Sequence, residues 1–167
     1  MKKTIFIVTL VLLVSSCTMS YKFNGASIDY DLTKTMMISD FPNQAPLVYP
    51  PLEQRFNEEL KDLFTRSTRL QFVNQNGDME MEGEIVGYEL TPLAVQEDSF
   101  ASETRLTLTV RMRFRNNKAQ GQDKEETIKA YRNFPADKMI DEVQDQLIAE
   151  LVKEITDQIF NTTMSNW

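Results

Sequence analysis

The chain has 167 residues and a formal net charge of -7, with no histidine, one cysteine and five glycines, and this length suits one ordinary domain. The missing histidine excludes the usual neutral-pH proton shuttle and the commonest transition-metal ligand, and the single cysteine excludes an intrachain disulfide. The acidic balance argues against nucleic-acid binding, which needs a basic surface to displace counterions from phosphates.

The N-terminal residues have the pattern of a lipoprotein signal. Two lysines precede an apolar run over 5–14, which is too short to cross a hydrocarbon core of about 30 Å but suits a secretory signal. The run ends in Val14-Ser15-Ser16-Cys17, which resembles a bacterial lipobox. We therefore expect a lipoprotein signal peptide over 1–16 and lipidation of Cys17. The alternative is an ordinary signal peptide whose cysteine stands there by chance.

The residues after Cys17 indicate the membrane to which the chain would be anchored. Thr18 stands where an aspartate is the usual inner-membrane retention signal, so we expect the outer membrane. Residues 18–21 lack the acidic run that sends some lipoproteins to the cell surface, which favours the periplasmic side. The mature chain would then be a folded domain tethered by its acyl chains.

A single α+β domain is predicted over 33–167, after a lipidated N-terminal segment over 17–32. Thr33–Phe41 has the pattern of a strand, and several prolines then interrupt it. From Leu52 the apolar period becomes helical. The residues of this helix that share one apolar stripe are Leu52, Phe56, Leu60, Leu63 and Phe64.

The strand pattern returns four times after this helix. The predicted strands are Leu70–Val73, Met79–Leu90, Arg105–Arg115 and Thr127–Phe134. Between the first two, Asn76-Gly77 predicts a tight hairpin, because both residues tolerate positive φ.

After Pro135 the chain has the pattern of a second, longer helix, from Asp137 to about Asn161. Its predicted buried stripe is Ile140, Val143, Leu147, Leu151, Ile155 and Ile159. The order of elements predicts a two-layer α+β sandwich, with both helices packed on one face of a four- to five-stranded, mainly antiparallel sheet.

Two of the predicted strands carry complementary charges on one face. If residues whose numbers sum to 195 lie opposite each other, the facing pairs are Glu80–Arg115, Glu82–Arg113 and Glu84–Arg111. Such a ladder is either a solvated face with weak cross-strand ion pairs or a set of arginines that bind a phosphorylated ligand. The acidic partners favour the solvated face for Arg111 and Arg113.

The strongest local basic patch lies at the end of this predicted hairpin. Arg115 precedes the turn Asn116–Asp123, which carries Lys118, and Lys124 follows directly. These three cations are the candidates for anion binding. The long connection Thr91–Glu103 is either a functional loop or a segment that folds back over a sheet edge.

The sequence lacks the arrangement of a catalytic site. Nucleophilic side chains have no histidine base, and Cys17 is assigned to the lipid. Adjacent carboxylates such as Glu58-Glu59 and Glu125-Glu126 are typical of solvated surface charge. We therefore expect no catalytic residue, cofactor or metal site, with a carboxylate-dependent envelope hydrolase as the open alternative.

Several segments, taken in their order and spacing, resemble the LptE family of lipopolysaccharide-assembly lipoproteins. Besides the lipobox, they are Tyr21–Ile28, Phe41-Pro42-Asn43, Leu52–Arg66, Asn76-Gly77-Asp78, Glu82–Tyr88, Arg105–Arg115, Ile159-Phe160-Asn161 and the terminal Trp167. The resemblance covers nearly the whole mature chain.

The resemblance implies a non-enzymatic outer-membrane lipoprotein that plugs the LptD β-barrel, assists its assembly and helps deliver lipopolysaccharide to the outer leaflet. It also implies lipopolysaccharide contacts near the end of the long strand and its turn, which correspond here to Arg115, Lys118 and Lys124. The alternative is a freestanding periplasmic lipoprotein that binds a small ligand or another envelope protein.

Overall fold

Two helices pack against a five-stranded mixed sheet in the computed structural model, which describes residues 28–47, 49–93, 103–119 and 121–164. In chain order the elements are β1 (Thr35–Ile38), α1 (Pro51–Ser67), β2 (Gln71–Phe72), β3 (Met79–Leu93), β4 (Glu103–Asn116), β5 (Lys124–Pro135) and α2 (Ile140–Met164). The strand order is β2-β1-β3-β4-β5, with β1 parallel to both neighbours and the last three strands forming an antiparallel meander. The predicted α+β class with a mainly antiparallel sheet is confirmed.

The predicted signal peptide and Cys17 lie outside the described residues, as does Trp167. Within the described ranges, no helix is both long enough and apolar enough to cross a membrane.

The pairing of β3 with β4 follows the predicted register. Glu80 lies opposite Arg115, and Ile85 lies opposite Val110. Between Ile85 and Gly87 a β-bulge shifts the register by one residue. The two faces remain distinct: we call the face that bears Val110 the inner face and the face that bears the arginines the outer face.

The hairpin between β3 and β4 is longer than the sequence pattern predicts. Thr91 pairs with Arg105 and Leu93 pairs with Glu103, so both ends of the predicted loop Thr91–Glu103 belong to strands. The ladder continues because Leu90 still meets Leu106 on the inner face. The middle of that loop, residues 94–102, lies outside the described part of the chain.

The predicted hairpin at Asn76-Gly77 is wrong. Asn76 does adopt a positive φ of 52°, but Gly77 does not, so the two residues do not form the turn on which the prediction was based. Moreover, β2 and β3 are not neighbours, because β1 lies between them and pairs in parallel with both. A Cβ on Gly77 would lie 2.6 Å from the backbone nitrogen of Met37, so β1 itself occupies the space beside the turn.

The first helix buries the predicted stripe. All five predicted side chains are buried. Pro51 occupies the first turn, where a backbone N–H would have no acceptor within the helix, so the proline costs no hydrogen bond. Asn57 is also buried: its amide donates to the carbonyl of Phe41 (3.1 Å) and accepts from the Phe41 N–H (2.8 Å). This side chain fixes the segment after β1 against α1.

The second helix begins three residues later than predicted, at Ile140, and ends at Met164. A turn in which the Lys138 N–H donates to the Pro135 carbonyl delays its start. Ile140 and Val143 are partly buried, and the other four predicted stripe residues are buried. The two helices run in the same direction. Arg55 contacts Asp145 (3.0 Å) near the start of both helices, and Phe64 contacts Phe160 (ring centroids 5.1 Å apart) toward the end of both.

Candidate functional site

The candidate site is one end of the sheet, where three segments meet. We call it the turn end: it comprises residues 29–35 before and at the start of β1, residues 76–78 before β3, and residues 115–119 and 121–123 at the end of β4 and in the β4–β5 turn. Asp78 holds these segments together. Its carboxylate accepts the backbone N–H groups of Lys34 (2.9 Å) and Thr35 (3.0 Å), and its carbonyl accepts the N–H of Asn117 (2.8 Å).

These contacts strongly stabilise the charged form of Asp78. The backbone N–H of Lys34 is the largest factor that holds the pKa of the Asp78 carboxyl far below its usual range, with further contributions from Lys118 and Thr35. The backbone N–H of Asp78 in turn donates to the hydroxyl oxygen of Thr35 at 2.9 Å. Asp78 is thus an anionic anchor for two turns and the first strand.

Two of the three predicted cations, Arg115 and Lys118, lie at this end, and each forms an ion pair. The guanidinium of Arg115 lies 2.8 Å from the Glu80 carboxylate, and the Lys118 ammonium lies 3.1 Å from that of Asp78. The side chains of Arg115 and Lys118 are still 41% and 48% exposed. Each therefore keeps N–H donors that face solvent and that an added phosphate can accept.

Lys124 is oriented differently. It pairs with Phe114 in the β4–β5 ladder, so it lies on the inner-face side, opposite to Arg115. Its ammonium donates to the carbonyl of Thr162 in the last turn of α2, where helix carbonyls lack an intrahelical partner. The structure places Arg115 and Lys118 at the same end of the sheet, each on its own carboxylate, and Lys124 on the opposite face from Arg115.

The remaining arginines of the ladder are paired as predicted. Arg111 lies 2.6 Å from Glu84, and Arg113 lies 3.8 Å from Glu82. All four side chains are at least one-third exposed, and such pairs contribute about 0–1 kcal/mol each. This part of the outer face is a solvated charge ladder.

The sequence pattern did not reveal the role of Asp78, which belongs to the Asn76-Gly77-Asp78 segment. Its contacts reach back 44 residues to Lys34, and nothing in the local sequence marks that distance. Among the described residues, no group of three carboxylate, histidine or cysteine side chains is arranged to hold a metal ion.

Comparisons with solved structures identify the same fold at low sequence identity. The solution structure of an uncharacterized lipoprotein B from Nitrosomonas europaea is 19% identical, covers 76% of this chain and 79% of its own, and has a TM-score of 0.52. The crystal structure of the rare lipoprotein B from Shewanella oneidensis is 14% identical, with coverages of 75% and 92% and a TM-score of 0.51. A hypothetical protein from Chlamydia trachomatis is 14% identical, with coverages of 80% and 99% and a TM-score of 0.53.

No curated protein matches this sequence significantly. A family model described as "LptE: Lipopolysaccharide-assembly" matches residues 33–163, which include every helix and strand of the fold almost to the end of α2. The chain therefore belongs to the LptE lipopolysaccharide-assembly family.

Proposed function

We propose that this chain is a lipoprotein of the outer membrane that acts, without catalysing a reaction, as plug and assembly partner of an LptD-type β-barrel. In this role it assists the transport of lipopolysaccharide to the outer leaflet, and lipidated Cys17 holds it on the periplasmic side. The observation that carries the proposal is the family match over 33–163, which spans nearly the whole described domain. The lipobox-like Val14-Ser15-Ser16-Cys17 supports the anchor.

The test is a pull-down of the tagged lipoprotein from gently solubilised outer membranes. A stoichiometric large β-barrel in the eluate is the expected result. Recovery of the lipoprotein alone at every detergent strength would contradict the plug role. Mass analysis of the same sample for acyl chains on Cys17 tests the anchor separately.

We further propose that the turn end contacts the phosphates of lipopolysaccharide through Arg115 and Lys118, with Lys124 as a third contact. Two partly exposed cations at the same end of the sheet, each with unused donors, support this choice. The acidic partners Glu80 and Asp78 do not remove those donors, because a guanidinium carries five N–H groups and an ammonium three. Lys124 contributes less, because its ammonium already donates to Thr162.

Direct contact predicts a graded loss of lipopolysaccharide binding by the purified protein. Arg115→Ala and Lys118→Ala should each weaken binding roughly tenfold, as expected for the loss of one charge-assisted hydrogen bond. Lys124→Ala should have a smaller effect. Arg113→Ala is the matched control, because it removes an arginine that is even more exposed (55% against 41%) from the same strand and face. Equal losses for Arg113→Ala and Arg115→Ala would contradict a site at the turn end and indicate a general charge effect.

A further inference from the structure

One aromatic side chain on the outer face is both exposed and held in place. Tyr131 of β5 is 54% exposed. The guanidinium carbon of Arg105 in β4 lies over its ring, 4.1 Å from the ring centroid. Both residues belong to the outer face, because β4 pairs with β5 without a register shift and Tyr131 lies opposite Thr107. A cation thus covers one side of the ring, while more than half of the residue remains accessible.

Hydrogen bonds hold the arginine in this position. The Nε–H of Arg105 donates to the side-chain oxygen of Asn133 (3.1 Å), and the amide of Asn133 donates to the carboxylate of Glu103 (3.0 Å). We call these side chains the Arg105 cluster; its members are Glu103, Arg105, Tyr131 and Asn133. Because the cluster is already ordered within this chain, a partner that binds it loses little free energy to the ordering of side chains.

Arg105 differs from the other arginines of the outer face in what its guanidinium contacts. Arg111, Arg113 and Arg115 each pair with a glutamate of β3. Among the residues that the structure describes, no carboxylate lies within ion-pair distance of Arg105, and only its Nε–H has an acceptor. A guanidinium has four further N–H donors, arranged in a planar fork that matches a carboxylate. The cluster therefore offers a stacked cation whose remaining donors suit an acidic side chain.

The cluster is also separate from the turn end. Arg105 and Arg115 are ten residues apart on β4, which is about 33 Å along the strand. Between them the outer face carries the ladder in which arginines are matched by glutamates, so few charges on this face would lose water without a partner if another protein covered it. By contrast, α2 carries six acidic residues and one lysine. The outer face is therefore the layer that a polar protein surface can cover at the lower electrostatic cost.

We infer that the Arg105 cluster anchors this domain to the inner wall of the β-barrel, where Tyr131 packs against a strand of the wall and Arg105 binds an acidic side chain of that wall. The inside of an outer-membrane barrel is polar, and tyrosine and arginine are among the residues that most often dominate the energy of a protein interface. The inference rests on the plug role in the proposed function. It adds the surface of the domain that meets the barrel and the chemistry of the group that it meets.

The experiment is a competition for the barrel between two full-length chains in the same cells. A variant and the unsubstituted chain carry different tags and are produced in equal amounts, the barrel is purified, and the ratio of the two bound chains is measured. Arg105→Ala and Tyr131→Ala should each lower the variant's share about 30-fold, the loss typical of a residue that dominates an interface. Arg111→Ala is the matched control and should compete equally, because it removes an arginine of the same strand and face that already has a carboxylate partner.

Further variants of Arg105 test the chemistry of the partner group and separate it from an effect on folding. Arg105→Lys keeps the charge but loses the planar fork, so it should also compete poorly while unfolding at the same temperature as the unsubstituted chain. Arg105→Glu should be excluded more strongly than Arg105→Ala, because it would place a carboxylate against the carboxylate of the wall. Equal shares for Arg105→Glu and Arg105→Ala would overturn the acidic partner.

Other results would overturn the anchor. Full occupancy by Arg105→Ala and Tyr131→Ala would do so while the plug role stands, and an equal loss for Arg111→Ala would indicate a general charge effect. Glu97→Gln combined with Asp98→Asn, at positions outside the described residues, should compete equally; a loss as large as that of Arg105→Ala would mean that the acceptor belongs to this chain. A purified barrel that carries neither chain would overturn the plug role, and the anchor with it.

Discussion

Asp78 is the residue on which the turn end depends most. Asp78→Asn keeps the shape of the side chain but removes the charge that two backbone N–H groups and Lys118 stabilise. We expect a lower free energy of unfolding at pH 7, measured by urea denaturation. Glu82→Gln is the control, because its ion pair with Arg113 is long, at 3.8 Å, and the loss there should be smaller. A larger loss for Glu82→Gln would contradict this account.

The same residue gives a pH dependence with a definite sign. The pKa of Asp78 is lowered in the folded chain by the N–H of Lys34 above all. The ionised Asp78 carboxylate therefore contributes its full stabilisation to the fold when the pH is above about 3.9, the pKa of an aspartate in an unfolded chain. This stabilisation is lost as the pH falls through the lowered pKa. The difference in unfolding free energy between the unsubstituted chain and Asp78→Asn should shrink below pH 4 and stay constant between pH 5 and 7.

Gly83 is required by close packing. A Cβ at this position would overlap the ring of Phe41 and the carbonyl oxygen of Arg111, and a backbone oxygen cannot move aside cheaply. Gly83→Ala should destabilise the fold by about 3 kcal/mol, at the upper end for overpacked sites. Gly87→Ala, whose Cβ would lie 3.0 Å from the Thr109 side chain, should cost less. The midpoints of thermal unfolding of the two variants test this, and Gly83→Ala should have the lower midpoint.

Among the elements, the two helices contribute through aromatic packing between them. Phe64 of α1 is fully buried and meets Phe160 of α2 edge-on, with ring centroids 5.1 Å apart. Phe64→Ala should cost roughly 3–5 kcal/mol, the usual range for a buried aromatic. Phe72→Ala is the control: that side chain is 39% exposed on β2, so its removal should cost much less. Equal losses in urea denaturation would mean that α1 does not depend on this contact.

The two edges of the sheet differ in how they are protected. The β2 edge is only two residues long, whereas β5 has 12 residues. On β5 the inner-face position beside Leu106 holds Arg132, whose guanidinium lies 2.8 Å from Glu150 and 2.7 Å from Glu154 of α2. A charge that points inward on an edge strand disfavours pairing with another chain. Arg132 thus both ties β5 to α2 and protects the edge.

For the molecule as a whole, charge is distributed unevenly between the two layers. The helix α2 carries six acidic residues and one lysine, whereas on the outer face Glu80, Glu82 and Glu84 are matched by arginines. The net negative charge of the chain therefore lies mainly on the helical layer. The turn end is itself slightly acidic, because Asp29, Asp31, Asp78 and Asp123 outnumber Lys34, Arg115 and Lys118. A phosphate there would be held by the individual donors of Arg115 and Lys118 and not by a net basic surface.

A single buried core joins both helices to all of the long strands. We therefore expect the domain predicted over 33–167 to unfold in one cooperative transition, because neither layer buries its apolar face alone. Far-ultraviolet circular dichroism, which reports the helices, and near-ultraviolet dichroism, which reports aromatic packing, should give coincident urea curves. Separate midpoints would contradict the single domain.

The sequence by itself determined the two helices, the strand positions and the β3–β4 register. These features are local: the apolar period identifies each element, and the facing charges of Glu80 and Arg115 fix the alignment of adjacent strands. Only the tertiary structure decided that β1 lies between β2 and β3, that Asp78 joins three segments, and that Lys124 turns toward α2. Each of these features depends on contacts between residues that are about 40 positions apart in the sequence, such as Asp78 with Lys34. A turn motif such as Asn76-Gly77 is local, so it cannot indicate that β1, from an earlier part of the chain, lies between the two strands that the turn connects.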